Sequence, residues 1–127
     1  MLDNVIDYNY YSVSTARSSN LRHRPIGIGM MGFQDALYKL RIPYASGDAV
    51  EFADTSMEAV SYYSIKASTN LAEERGAYAT YQGSLWSQGI LPIDSIELLA
   101  QSRGSFLNVD RTTWLDWDTL RTRVKTV

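Results

Sequence analysis

From Gly47 to Arg75 the chain carries Val50, Ala53, Met57, Val60, Ser64, Ala67 and Leu71 at alternating spacings of three and four. That periodicity predicts one long helix with a narrow stripe running along about eight turns. Ser46 is placed to cap its first turn, and Asp48 and Glu51 meet the positive end of the helix dipole. Gly76 supplies the C-terminal stop. Small residues in the stripe (Ala53, Ser64, Ala67) would let a neighbouring element come close, and Tyr62 and Tyr63 would widen the buried face. In a chain of 127 residues an element of this length dominates what can be built around it.

A second stretch, Ser19 to Lys39, reads as loop, short buried strand, tight turn and helix. Arg22, His23 and Arg24 lead into Pro25, and the apolar run Ile26–Met31 is interrupted by Gly27 and Gly29. Gly32 then opens an amphipathic segment with Phe33, Leu37 and Leu40 on one side. Glycines in a strand signal the close approach of another backbone or a ligand. Gly27-Ile28-Gly29-Met30-Met31-Gly32 also matches G-x-G-x-x-G, with Asp48 and Glu51 about twenty residues on. A dinucleotide site, however, needs a full strand before the first glycine and a second parallel strand ending in the acid. Only Pro25-Ile26 precedes Gly27, and Tyr44–Gly47 looks like the approach to a helix. Close packing is the better reading of these glycines.

Elsewhere the pattern predicts a helix end over Met1–Tyr11, with Leu2, Val5, Ile6 and Tyr10 at helical spacing and Asp3 and Asp7 facing solvent. Ser12–Ser19 reads as a polar linker or turn. Pro43 breaks the helix after Arg41-Ile42. Ala77–Gly89 reads as an ordered aromatic loop built on Tyr78, Tyr81 and Trp86. Ile90-Leu91-Pro92 starts a helix whose apolar side is Ile93, Ile96, Leu99 and Ala100, and Gly104 closes it. Phe106–Val109 is a candidate short extended segment, and Asp116 is placed to cap a last helix through Trp117, Leu120 and Val124. The first and last helices lack clear outer caps, so both ends read as cut from a longer chain.

Composition narrows the function classes. At 45% hydrophobic and 20% charged residues the chain is globular in type. A net charge of −2 gives no basic field for nucleic acid or an anionic membrane. The absence of cysteine removes disulfides, thiolate metal sites and thiol catalysis, and a single histidine (His23) removes a histidine-rich metal site. No apolar run approaches a membrane span and no signal peptide is present, so a cytoplasmic protein is expected.

Candidate chemistry is sparse. Glu73-Glu74 and Asp116/Asp118 are neighbours that point in different directions on a helix, which suits caps and solvated faces better than an acid pair. Arg17, Arg22, His23 and Arg24 could bind phosphate, or could instead meet acidic groups on adjoining structure or remain in water. The pairs Tyr10-Tyr11 and Tyr62-Tyr63 read as packing residues with polar tips.

Taken in order, Asn20-Leu21-Arg22-His23-Arg24-Pro25-Ile26-Gly27-Ile28-Gly29, Met31-Gly32-Phe33-Gln34-Asp35-Ala36-Leu37, Arg41-Ile42-Pro43-Tyr44, Leu71–Gly76, Tyr81–Ser84, Gly89–Pro92 and Leu115-Asp116-Trp117 resemble the large (alpha) subunit of class I ribonucleotide reductase. The resemblance runs from Leu2 to about Lys125. It implies a mainly α, helical fragment with one short strand (about Pro25 to Met30), belonging to a ten-stranded α/β barrel in the complete protein. Residues 1–127 would form a single interior segment of the catalytic barrel domain. In that family a finger-loop cysteine becomes a thiyl radical that abstracts the ribose 3′ hydrogen, and a cysteine pair supplies the electrons. The resemblance places those groups before Met1 and the substrate phosphate loop after Val127. No catalytic, cofactor-binding or metal residue is therefore expected here, and no radical role passes to the tyrosines. The complete family enzyme takes its radical from a beta subunit and responds to nucleotide effectors such as ATP. Its implied partners are the remainder of the alpha subunit, the beta subunit and a ribonucleoside diphosphate, with self-association through exposed barrel surfaces a further expectation. A different reading makes the chain a structural component of a naturally split reductase that assembles with flanking fragments.

Overall fold

The computed structural model describes residues 1–127 as α1 (Leu2–Tyr8), α2 (Ser14–His23), α3 (Phe33–Leu40), α4 (Gly47–Arg75), a 3-10 turn over Pro92–Asp94 that leads into α5 (Ser95–Arg103), and α6 (Trp117–Thr126). Capping chemistry sets most of these limits. Ser46 Oγ accepts the Ala49 N–H at 3.2 Å to start α4, and Gly76, at φ +85°, ends it. Asp116 accepts the Thr119 N–H at 3.0 Å to start α6. Gly32 precedes α3 with φ +82°, and Arg41 closes that helix in the left-handed region before Pro43.

The main core lies between α4 and α6. Leu91, Trp117, Leu120 and Val124 are buried together, with Tyr62, Ile65, Ile93 and Leu115 packed around them. Tyr62 meets the Trp117 ring edge-on at 5.4 Å, and Tyr81 reaches across to donate its Oη–H to the Val124 carbonyl at 2.5 Å. A smaller cluster joins α3 to the start of α4. There Phe33 stacks on Phe52 at 5.8 Å and meets Tyr44 edge-on, beside buried Leu37 and Ala49.

Four expectations change. The short strand expected over Pro25–Met30 is not one: the segment is irregular, and none of its backbone groups bonds to another part of the backbone. A strand is defined by its neighbour, and this chain supplies none. The linker expected over Ser12–Ser19 is mostly helix, because α2 begins at Ser14. None of the α2 residues is buried, so no apolar stripe marked it in the sequence. The α4 stripe is also misplaced. Val50 and Met57 remain 69% and 44% exposed, whereas Thr69 is buried and Tyr62 and Ile65 meet α6. Finally, Asp3 is buried and ion-paired.

Only 11 of 127 residues are buried. The accessible surface is 9339 Å², against about 6,800 Å² for a compact monomer of this mass. The difference is about 2,500 Å², and Ile26, Ile28, Met31, Tyr63 and Phe106 all lie open.

Candidate functional site

The half-buried charged side chains that join the helix ends are paired with one another. Arg24 sits just past α2 in the left-handed region, at φ 46° and ψ 50°, and its guanidinium reaches back to α1. Nε donates to Asp3 Oδ1 at 2.7 Å, Nη1 and Nη2 each donate to an Asp7 carboxylate oxygen at 2.8 Å, and Nη2 also donates to the Asp3 carbonyl at 2.9 Å. Arg75, at the far end of α4, donates to Asp3 Oδ2 at 2.8 Å and to Asn4 Oδ1 at 2.5 Å. Three helix ends thus meet on one carboxylate. Hydrogen bonding from Arg24 holds the Asp3 and Asp7 carboxyls below the usual range, against a partial burial that works the other way. The Arg24 guanidinium is correspondingly harder to deprotonate.

A second carboxylate, Glu58, ties the segment before α6 to the middle of α4. Its Oε1 accepts the backbone N–H groups of Trp114 (2.8 Å) and Leu115 (3.0 Å) and the Trp117 indole N–H (2.9 Å). Partial burial opposes the charge on Glu58, but these three donors outweigh it and lower its pKa. A third pair links α6 to the turn before α5. Arg121 donates to Asp94 and to the Gly89 carbonyl, while Asp94 also accepts the Leu91 N–H at 2.7 Å. Glu73 receives two bonds from Arg123.

The sequence-level candidates can now be placed. Of the basic group Arg17, Arg22, His23 and Arg24, the structure turns Arg24 to carboxylates and His23 to Thr80 Oγ1 at 2.8 Å. Arg22 and Arg17 stay exposed and form no ion pair. Glu73 and Glu74 part ways, one to Arg123 and one to Arg75. Asp116 caps α6. Tyr11 donates to the Ile6 carbonyl at 2.7 Å, Tyr10 is exposed, and Tyr62 and Tyr63 touch edge-on at 5.3 Å. Gly27 and Gly29 have no neighbour within 4 Å of where a Cβ would stand, so nothing inside this chain demands glycine there. No group of three or more His, Asp or Glu side chains comes together in a metal-holding arrangement. Sequence reasoning missed Glu58; an acid between Phe52 and Tyr62 on a half-buried face was the available signal.

Between the Pro25–Ile28 segment and α4 runs a groove of about 1330 Å³, lined mainly by apolar side chains that include Ile26, Ile28, Val60, Tyr63, Ala67 and Leu71. The Asp3–Arg24–Arg75 cluster is part of the same lining.

A family model described as ribonucleotide reductase, barrel domain, matches residues 1–127. The chain is 57% identical over 126 residues to a ribonucleoside-diphosphate reductase subunit alpha of Chlamydia trachomatis, covering 98% of this chain and 12% of that protein. It is 42% identical to a large subunit from Arabidopsis thaliana, covering 94% of this chain and 13% of the relative. With a subunit alpha of Helicobacter pylori it shares 39% identity, over 98% of this chain and 16% of the relative. The chain therefore spans roughly an eighth of the length of the relatives it matches.

Proposed function

The chain belongs to the ribonucleotide reductase barrel-domain family, and on that footing we propose that it is an interior structural segment of a ribonucleoside-diphosphate reductase alpha subunit. Its part is to build the barrel around a reaction whose chemical groups lie elsewhere in the polypeptide. The observation that carries this reading is the family match over residues 1–127 in a chain with no cysteine, when reduction of a ribonucleotide by this family's chemistry runs through thiols.

In the complete subunit the substrate is a ribonucleoside diphosphate and the product a deoxyribonucleotide for DNA synthesis. The beta subunit supplies the radical, and nucleotides such as ATP act as effectors. The same reading carries a cytoplasmic location; no helix here is long and apolar enough to cross a membrane. Residues 1–127 contribute the helical layer of α3, α4 and α6 together with the Pro25–Met30 segment, which takes strand geometry when neighbours are present. The ion pairs at Asp3, Asp94 and Glu73 and the hydrogen bonds to Glu58 hold that layer together.

The test is a reductase assay with a beta subunit, a dithiol and a ribonucleoside diphosphate. The isolated chain should give no turnover, and the complete subunit containing it should give deoxyribonucleotide. Turnover above background by the 127 residues alone would overturn the proposal.

A further inference from the structure

We propose that the α1–α2 hairpin is a hinged flap, shut against the end of α4 by a polar latch centred on Arg75, and that it opens by itself while the α4–α6 core stays closed. The irregular segment after Arg24 is the hinge. The device depends on the folded arrangement of these residues and is independent of the family reading.

Three observations carry it. The first is how little apolar surface the hairpin buries. Among residues 1–24, Ile6 is the one buried apolar side chain, and it lies outside the cluster of Leu91, Trp117, Leu120 and Val124. Leu2 and Leu21 line the same groove as Val60 and Leu71 of α4, and none of the four is buried. Apolar groups that stay in contact with water supply little closing force.

The second is the latch. Arg75 Nη1 donates to Asp3 Oδ2 at 2.8 Å and to Asn4 Oδ1 at 2.5 Å, which joins α1 to the end of α4. His23 Nδ1 and Thr80 Oγ1, 2.8 Å apart, join the end of α2 to the turn after α4. Arg24 works differently. Its bonds to Asp3 and Asp7 run from the end of α2 to α1, so they hold the hairpin to itself. One set of contacts keeps the flap together and the other keeps it shut. The Arg75 side chain is 38% exposed, so dissolved ions screen its pairing. Glu74, 3.3 Å from Arg75 Nε, offers the guanidinium a second partner on α4 when the flap is open.

The third is the connection. No backbone group of residues 25–31 bonds to another backbone group, and nothing lies within 4 Å of a Cβ built at Gly27 or Gly29. The link from the hairpin to α3 therefore bends freely. α2 itself has 10 residues and none is buried, and a lone helix of that length is marginal in water. Its amides lose protection once the flap leaves α4, which makes them the reporter of opening.

Hydrogen exchange of the 127-residue chain, read by mass spectrometry relative to the unfolded chain, tests this first without a variant. Raising sodium chloride from about 0.01 M to about 1 M shortens the screening length from about 30 Å to about 3 Å. Amides of Asn20–Arg24 should then exchange about tenfold faster, while those of Leu120–Val124 in α6 keep their rate. Arg75→Gln should give the same acceleration at low salt and abolish the salt response, with the urea midpoint by tryptophan emission unchanged. Glu74→Gln, which removes the other partner of Arg75, should leave Asn20–Arg24 at least as protected as in the parent. Exchange at Asn20–Arg24 that ignores salt, or that Arg75→Gln leaves unchanged, overturns the proposal. Acceleration of both segments in step also overturns it, since hairpin and core would then be one cooperative unit. Equal losses in Glu74→Gln and Arg75→Gln overturn it as well, because the arginine would then act within α4 and not across to α1.

Discussion

Replacing Glu58 by alanine removes one oxygen that serves three donors on the neighbouring element. The Trp117 ring is 8% exposed, so its indole N–H has little access to water once Glu58 is gone. An unmet buried donor costs about 1–3 kcal/mol. Leu115 is half-buried and its N–H is partly compensated, while the Trp114 N–H is open and water replaces the carboxylate at little cost. Discounting for solvent around Glu58, the loss comes to about 2 kcal/mol, or roughly 30-fold in the folding equilibrium. Glu58→Gln keeps an acceptor but not the charge, and charge-assisted bonds are about twice as strong as neutral ones, so about 1 kcal/mol is expected. The assay is urea unfolding followed by tryptophan emission, with Trp117→Phe and the double variant completing a cycle whose coupling should be about 1 kcal/mol. The pH dependence has a definite sign. Glu58 titrates below its ordinary value of 4.5 when folded, so its contribution is complete above that value and is lost as pH falls through the folded one. The gap between wild type and Glu58→Ala should therefore close in acid. A loss under about 0.5 kcal/mol for Glu58→Ala, or a glutamine variant as weak as the alanine one, would refute the reasoning.

Three further outcomes follow from the same contacts. Leu120→Ala empties the centre of the α4–α6 core, where Leu120 is 2% exposed, and should cost about 2–4 kcal/mol by urea unfolding. Gly89→Ala should cost about 1 kcal/mol in the same measurement. Gly89 holds φ +74°, which by itself accounts for that loss, and a new Cβ would also stand 2.6 Å from Lys125 Cδ and 3.0 Å from its Cγ, so the Lys125 side chain must shift as well. Asp3→Asn should lower the melting temperature at pH 7 by circular dichroism. Because the Asp3 pKa is lowered by Arg24, its contribution is present above the ordinary carboxylate range and disappears as pH falls through the depressed value, so the two proteins should melt alike in strong acid. Equal melting temperatures at pH 7 would remove the three-helix junction from the account.

The limits of α4 were legible because each rests on residues only a few positions away: the Ser46 hydroxyl on the Ala49 N–H, and Gly76 adopting a conformation that costs other residues more. The Pro43 break and the Asp116 cap are local in the same way. α2 was not legible, because a helix with no buried face leaves no apolar period to read. The Pro25–Met30 strand was a fair reading of its alternation, yet strand formation is a property of two segments and only one is present. For the candidate site, the possibility that the basic cluster meets acids on adjoining structure was visible at Arg24, but not which acids, since Asp3 lies 21 residues away in sequence from Arg24 and 72 from Arg75.

What the sequence by itself determined is the caps and breaks around α4 and α6, the family, and a composition without cysteine. Those follow from short-range hydrogen bonding, from residue order and from composition. Tertiary structure alone decided which face of α4 is covered, that Asp3 is an anchor buried among three helix ends, and that Glu58 gathers three N–H groups from 56 to 59 residues away. The reason is that burial and long-range pairing depend on which surfaces meet. One stripe of α4 meets α6, while another lines an apolar groove.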